Sequence, residues 1–420
     1  SLPIYNHVKA SRFTYDVVYT NTMQAGAYRG DGATQGQFAV ESIVNELADE
    51  LHMDPCELRL KNMVQEKEVM SQYYNEYLQS CALDRCLKRA MEMIDWKNKP
   101  LRKDMGDKVR SLGVALSMQG SGIANVDIAS VIIKLMDDGF YTLAIGATDM
   151  GTGCDTILAQ MAAECLECDV DQIITQPVDT DSSPYDTGSY ASASTYVTGM
   201  AVVKACDELK QKLIKEASVL LDTKEEYITF DGQRIMAVEE GKEISLKDFA
   251  NKCFEGGKGK ALIGEASHVS PTSPPPFMAG IAEVDVDKLT GEISIVDYVA
   301  VVDCGTVINT NLARVQTEGG IAQGIGMALY EDVTYSSKGK MRNNSFLQYK
   351  IPTRMDVGKI RVDFESSYEN SGPFGAKSIG EVVINTPSPA LASAVAHASG
   401  VYVRTLPITA EKVLMKKDEE

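Results

Sequence analysis

A lone carboxylate closes a stretch of small residues, Ser371-Gly-Pro-Phe-Gly-Ala-Lys-Ser-Ile-Gly-Glu381, and the apolar run Val382-Val383-Ile384 follows at once. A glycine-rich loop that leads a carboxylate into an apolar setting raises its pKa and suits it to proton abstraction. The competing reading is a solvated loop with Glu381 facing water, and this stretch by itself favours the latter. Arg29 is the second candidate, in Ala25-Gly-Ala-Tyr-Arg-Gly-Asp-Gly-Ala-Thr-Gln-Gly36. A guanidinium at a glycine turn before a helix converges with free N–H groups and the positive helix end on an anion. The alternative is a tight turn in which Arg29 pairs with a neighbouring acid; the glycines do not fit G-x-G-x-x-G. In Gly146-Ala-Thr-Asp-Met-Gly-Thr-Gly153, Gly151 and Gly153 allow backbone N–H groups to face a ligand. The hydroxyl residues of Asp186-Thr-Gly-Ser-Tyr-Ala-Ser-Ala-Ser-Thr195 stand before a helical run, as caps or as a site for phosphate or a polar cofactor. Gln323 is the polar group within the glycine-rich run 316–326.

The elements that must hold these groups follow from periodicity. A strand-like run at 15–19 precedes the Arg29 turn. After it, Val40, Ile43, Val44, Leu47 and Leu51 recur at helical spacing until Asp54-Pro55. The pattern predicts a helix over 83–94, a boundary at Trp96 and a basic connector over 97–110. Strands at 128–136 and 140–145 flank Asp137-Asp138-Gly139, a hairpin signal, and the second runs into the Gly146 turn with a helix from about Thr156. Further expectations are a helix over 197–214, a hairpin at Asp231-Gly232, and a donor-poor linker at 270–276. Strands at 280–286, 292–302 and 360–364 and a helix over 390–398 follow. The run 316–326 reads as a helix despite its glycines, each costing about 1 kcal/mol, which implies close backbone packing against something bulky. The fold class is α+β, with mixed sheets, packed helices and two or three subdomains. One domain is expected over 1–96 and a second over 97–420, the latter with subdomains at about 108–268 and 277–410.

Composition narrows the function classes. The chain has 420 residues, 44% hydrophobic and 24% charged, enough for two or three cores. A formal net charge of −18 argues against nucleic acid or an anionic membrane as partner. No run approaches the roughly 18–20 apolar residues that span a bilayer. Ser1-Leu-Pro-Ile-Tyr5 lacks the basic and apolar regions of a signal peptide, and the missing Met suggests a processed chain, a split subunit or a cut fragment. The nine cysteines are scattered; Cys165 and Cys168 form C-x-x-C without a second pair at zinc or iron–sulfur spacing, which points to a reduced, cytoplasmic setting. His7, His52, His268 and His397 are isolated from one another, so no protein-ligated metal is expected. There is no G-x-S-x-G, and Gly372–Ser378 misses P-loop spacing. Many glycine and hydroxyl turns without a protein metal site suit a large phosphate-bearing cofactor held mainly by backbone groups.

Gly26-Ala-Tyr-Arg-Gly-Asp-Gly-Ala-Thr-Gln-Gly36, Thr148-Asp-Met-Gly-Thr-Gly153, the 189–194 run, Gly320-Ile-Ala-Gln-Gly324 and Lys377-Ser-Ile-Gly-Glu381 occur together in one order and spacing. In this the chain resembles, over nearly its whole length, the C-terminal part of the molybdopterin-binding subunit of the xanthine dehydrogenase/aldehyde oxidase family of molybdenum hydroxylases. The resemblance implies a fold built around a buried pterin, molybdopterin or its cytosine dinucleotide, whose dithiolene carries the molybdenum. It implies Glu381 as the active-site base and Arg29 beside the metal centre. Met150, Gly151 and Thr152 on one side and Ser189, Ser192 and Ser194 on the other would contact pterin and phosphate. Gln323 would hydrogen-bond the pterin, Gly380 would lie in the cofactor site, and Asp31 and Ala191 would face the substrate.

The activity implied is hydroxylation of an sp2 carbon of an N-heterocycle, purine-like ahead of nicotinate-like rings or aldehydes, with oxygen from water. Electrons would leave through [2Fe-2S] and FAD centres on partner subunits. The N-terminal part of the molybdenum subunit would be a further partner, in a complex that itself dimerises. A non-catalytic cofactor-binding or structural module is the reading from another class. One departure bears on substrate: the family usually has an aromatic residue between the glycines after the Arg, where this chain has Asp31. A second flanking aromatic has no clear counterpart in 118–127. A carboxylate cannot stack on a ring, so substrate contact favours a hydrogen-bonding or cationic group, or this copy is impaired.

Overall fold

The computed structural model describes residues 1–10, 12, 14–255 and 259–415. In chain order the first region holds helices α1 (Ala33–Glu50) and α2 (Pro55–Asn62), a short hairpin of β1 (Val69–Met70) and β2 (Glu76–Tyr77), and α3 (Leu83–Ile94). Next come β3 (Arg102–Asp104), β4 (Lys108–Met118), β5 (Ile128–Leu135), β6 (Tyr141–Ile145), α4 (Cys154–Leu166), β7 (Ile173–Thr175) and α5 (Gly199–Leu221). Strands β8 (Ile228–Phe230), β9 (Arg234–Ala237) and β10 (Lys242–Ser245) lead to α6 (Leu246–Phe254) and β11 (Ile263–Val269). The last portion contains β12 (Phe277–Asp287), β13 (Ile293–Asp303), α7 (Thr310–Leu329), β14 (Lys359–Phe364), α8 (Pro387–Ser399) and α9 (Ala410–Met415). This is the expected α+β class.

The main sheet has the order β14-β13-β12-β4-β3, antiparallel except for the parallel β13–β14 pair. Its central strands β4, β12 and β13 are buried on both faces along most of their length, and the two-residue period sorts their side chains into two cores. Phe277, Ala279 and Ile281 face the core shared with α3 and Trp96, whereas Met278, Ala282 and Val284 face the core under α8. Helix α8 lies so close that a Cβ on Gly113 would stand 2.1 Å from the Ala390 carbonyl oxygen. The second sheet, β11-β5-β6-β7, is covered by α4 and α5 and owns a separate core that includes Ile133, Leu143, Leu158 and Leu209. Strand β4, expected within the 108–268 subdomain, instead pairs with β12 and belongs to the main sheet. The first region is likewise continuous with it, because Ile4, Leu83 and Leu87 share a core with Val114 and Val301.

Three expectations are corrected. The run 15–19 forms no strand among the described residues, pairing with no sheet, and its residues are exposed. The Pro-rich segment 270–276 is not a loose linker. Ser273 is buried, donates to the Gly122 carbonyl at 2.6 Å and accepts from the Ser121 N–H, so the segment straps down the loop after β4. Helix α1 turns the opposite way from its apolar stripe. Gln37, Glu41 and Asn45 are buried while Ile43, Leu47 and Leu51 are exposed.

The reason lies in a polar network under α1. Glu41 and Arg59, both fully buried, form an ion pair at 2.8 Å. Glu41 also accepts from the Leu116 N–H at 2.7 Å and from the Tyr5 hydroxyl. Arg59 donates in addition to Asn45 at 2.8 Å, so both charges are satisfied on several sides, the condition under which a buried pair is tolerated. No helix among the described residues is long and apolar enough to cross a membrane.

Candidate active site

Glu381 begins a buried 3-10 turn, Val382–Ile384, directly before α8. The glycine-rich α7 packs against this turn: a Cβ on Gly320 would stand 2.4 Å from Val383 Cγ2, and one on Gly324 2.7 Å from Pro387 Cγ. The bulky object implied by the α7 glycines is therefore the turn that carries Glu381. The loop before it is fixed by Lys377, whose ammonium meets Asp303 at 2.9 Å with both side chains fully buried. The Ser378 N–H donates to Ser121 Oγ at 3.1 Å.

The Glu381 carboxylate is half-buried. Oε1 accepts from the Gly30 N–H at 3.2 Å; Oε2 accepts from Ser192 Oγ at 2.9 Å and Gln119 Nε2 at 3.3 Å. Burial pushes its pKa up, the bonds from Ser192 and Gly30 pull it down, and the Asp31 charge pushes it up again; the net direction is upward. The solvated-loop alternative is thereby set aside. Gly30 has φ 94°, and a Cβ there would meet Asn385 Oδ1 at 2.8 Å, so only glycine brings this N–H to the carboxylate.

Arg29 approaches from the other side. Its Nε donates to the Gly380 carbonyl at 2.5 Å, Nη1 to Gln323 Oε1 at 3.2 Å, and Nη2 to the carbonyl and side-chain oxygens of Gln316 at 3.2 and 3.0 Å. All these acceptors are neutral, and among the described residues no carboxylate pairs with it directly. Burial lowers the guanidinium pKa, against which the nearby Glu381 charge raises it. Of the two turn readings, pairing with an acid is thus the one the geometry does not realise.

The remaining motifs close a ring around these two groups. Gln316 Nε2 donates to the Gly151 carbonyl at 3.0 Å, and Ser189 Oγ both donates to the Thr148 carbonyl and accepts its N–H at 3.0 Å. Ala191 and Ser192 have positive φ, 49° and 60°, as does Asp31 at 45°. Left-handed non-glycine residues persist where surroundings over-determine them, which is common at functional sites. Asp31 is exposed beside Glu381, and Met150 projects into solvent. Ser194 starts a π-turn, Ser194–Thr198, that leads into α5, and its hydroxyl has no protein partner among the described residues. The N–H groups of Gly151 and Gly153, expected to face a ligand, are turned onto Asp149 Oδ1 at 2.8 and 3.1 Å. Thr152 Oγ1 is within 3.5 Å of the same oxygen. Asp149, Cys154 and Asp155 place ligand atoms within 4.8 Å of one another. Asp149 is committed to those N–H groups, however, and burial pushes the Cys154 thiol up to about 11.

Sequence reasoning missed Gln119 and Gln316. Gln119 is the first polar side chain after the buried strand β4, which is a usable signal; Gln316 is one of two glutamines on α7, and nothing in the pattern marks it. Two of the histidines have protein partners: His268 meets Lys204 at 2.9 Å and His397 the Leu112 carbonyl at 2.6 Å.

A half-buried carboxylate with a raised pKa, a cation held by neutral acceptors, and glycine and hydroxyl loops thus converge from distant segments on one place. Residues 89–358 and 3–63 each match a molybdopterin cofactor-binding domain. The probable hypoxanthine oxidase XdhD of Escherichia coli (strain K12) is 34% identical over 99% of this chain and 44% of its own length. The putative xanthine dehydrogenase molybdenum-binding subunit XdhA of the same organism is 33% identical over 96% and 55%. Among solved structures, quinoline 2-oxidoreductase from Pseudomonas putida 86 superposes with a TM-score of 0.83 at 24% identity, over 93% of this chain and 53% of that one. The chain belongs to the molybdopterin-binding xanthine dehydrogenase/aldehyde oxidase family of molybdenum hydroxylases. It spans about half the length of the curated relatives it matches.

The residues present fit the family's cofactor. A half-buried guanidinium without a direct counter-charge suits an electron-rich, anionic group, and the unpartnered Ser194 hydroxyl and the strained 191–192 turn stand on the same ring.

Proposed function

We propose that this chain is the base-bearing half of the molybdenum subunit of a hydroxylase that oxidises an sp2 carbon of an N-heterocycle, purine-like by preference, using water-derived oxygen. The observation that carries this reading is the Glu381 carboxylate, anchored by Gly30, Ser192 and Gln119, with its pKa raised by burial and set beside Arg29. When bound, the molybdenum-loaded pterin supplies the two-electron acceptor and activates the attacking oxygen. Glu381 would accept a proton at its carboxylate, its raised pKa making it a stronger base. Arg29 and Gln323 hold the cofactor edge, and Met150, Gly151, Thr152, Ser189, Ser192, Ser194 and Gly380 line its pterin and phosphate. For phosphate to reach the Gly151 and Gly153 N–H groups, the Asp149 carboxylate must turn away. Asp31 and Ala191 face the substrate. An exposed carboxylate beside the base favours a substrate ring that offers N–H donors or positive charge over one held by stacking alone.

The [2Fe-2S] and FAD partners, the N-terminal part of the subunit, a dimeric complex and a cytoplasmic location belong to the same proposal. It is tested by metal and pterin analysis of the protein purified with its partner subunits, followed by reduction with purines. Stoichiometric molybdenum and purine-dependent reduction are expected. Absent molybdenum overturns the reading in favour of a non-catalytic module.

A further inference from the structure

Two amides form a short chain that ends on Glu381. Asn385, fully buried, follows the Val382–Ile384 turn, and Gln119 follows β4. Asn385 Nδ2 donates to the Met118 carbonyl and to Gln119 Oε1, both at 3.4 Å. Gln119 Nε2 donates to the Gly30 carbonyl and to Glu381 Oε2, both at 3.3 Å. A backbone carbonyl only accepts, so the Met118 oxygen requires the NH2 end of Asn385 to face it. That end holds the Gln119 oxygen, which turns the Gln119 NH2 towards the carboxylate. The Gly30 carbonyl, a second pure acceptor, selects the same orientation. Polarity therefore runs one way, from the Met118 carbonyl to Glu381. Asn385 Oδ1, in contrast, is buried and meets no donor among the described residues; it faces Gly30, where a Cβ would stand 2.8 Å from it. An orphaned buried oxygen costs stability, and an apolar side chain of similar shape would avoid that cost. What explains an asparagine here is its NH2 end.

The two carboxylate oxygens are thereby made unequal. Each has two lone pairs. Oε2 uses both, accepting from Ser192 Oγ and Gln119 Nε2, whereas Oε1 uses one, accepting from the Gly30 N–H. We propose that Asn385 is a positioning residue for Glu381: acting through Gln119, it keeps a donor on Oε2 and leaves Oε1 as the atom that takes the proton. The proposal rests on the functional reading above for what that proton transfer serves; the amide chain itself rests on geometry. Without the Asn385 amide, only the Gly30 carbonyl opposes rotation of Gln119, and the bond to Glu381 loosens. Asn385 touches neither the carboxylate nor the ring of hydroxyl and glycine loops, so its effect on Glu381 must pass through Gln119.

The test is a double-mutant cycle on the protein purified with its partner subunits. Titration of Glu381 is followed by infrared difference spectra against Glu381→Gln, a readout that needs no turnover. Among the described residues the charges that bear on Glu381 are Arg29 and Asp31, and both are the same in every variant. The bond from Gln119 lowers the Glu381 pKa, so Gln119→Leu should move the titration to higher pH. Asn385→Ala should move it in the same direction, and the double variant no further than Gln119→Leu alone. On the acid side of the profile kcat/KM should fall about two- to tenfold in each single variant, as the net worth of one hydrogen bond implies. If Asn385→Ala does not fold, Asn385→Leu refills the space and enters the same cycle. Additive shifts in the double variant, or an Asn385 variant that titrates as wild type, overturn the proposal. A cycle that behaves as expected in a protein that purines do not reduce refutes the functional reading alone. Purine-dependent reduction together with additive shifts refutes only the role of Asn385.

Discussion

Glu381→Gln keeps the hydrogen-bonding shape of the side chain and removes its basicity. The expected outcome is retained molybdenum and pterin with turnover down by about 10²–10⁴, the range typical for loss of a general base. Normal turnover by this variant would refute the assignment. The pH profile gives a finer test. Glu381 is useful only when ionised, and its pKa is raised above 4.5, so the acid limb of kcat/KM should lie above that value. Asp31→Asn removes a charge that raises the pKa and should move the limb to lower pH; Ser192→Ala removes a bond that lowers it and should move the limb up. Opposite shifts measured on two neighbours distinguish a titrating Glu381 from a general loss of structure. At this scale much of the site was legible, since Arg29, Ser192, Gln323 and Glu381 all lie in short motifs of small residues. Gln316 was not, because a glutamine that supports another residue from within a helix leaves no compositional trace, and Gln119 was marked only by its place as the first polar side chain after β4.

Helix α7 carries two kinds of glycine, and they predict opposite results. At Gly319 a Cβ would meet nothing within 4 Å, so Gly319→Ala should stabilise the protein by about 0.5–1 kcal/mol through helix propensity. At Gly320 the same change places a carbon 2.4 Å from Val383 Cγ2, and overpacking costs about 1–3 kcal/mol, more than propensity returns. Gly320→Ala should therefore lower Tm and, by pushing the Val382–Ile384 turn, lower kcat as well. Thermal melts of the two variants, with activity beside them, check both signs. The helix itself was readable from apolar spacing, and so were the hairpin at Gly139 and helix α3, where local periodicity and packing agree. Helix α1 was not readable in its orientation. Periodicity identifies an apolar stripe but cannot say which side a buried Glu41–Arg59 pair will claim. The 270–276 segment misled for a related reason: prolines announce extended chain, and only tertiary contacts decide whether extended chain is strap or tether.

Several parts of the molecule converge on one buried ion pair. Lys377, in the Glu381 loop, meets Asp303 at the end of β13, and Asp303 also accepts from the Ala82 N–H of the first region at 2.8 Å and from Ser367 Oγ at 2.6 Å. The Lys377 ammonium lies 5.2 Å from the centre of the Phe277 ring and 3.4 Å from the Ser80 carbonyl. Neither charge reaches water, so removing one strands the other. Lys377→Met should destabilise the fold by about 3–5 kcal/mol, whereas replacing both with apolar residues of similar volume should recover most of that loss. Burial pushes the Asp303 carboxyl up, but the Lys377 charge and the bonds from Ser367 and Gly305 outweigh it and hold the pKa below 3.8. A depressed carboxylate contributes stability that is complete above its unfolded pKa and is lost as pH falls through the folded one. The contribution of the pair should thus persist across the neutral range and disappear only in acid below about 3.8, and the gap between wild type and Lys377→Met should narrow there. Denaturant melts at neutral and acid pH measure that gap. The apolar double variant separates stability from positioning: if it melts near wild type yet loses turnover, the pair serves to place Glu381, and if it keeps turnover, the pair serves only to join the first region to the main sheet.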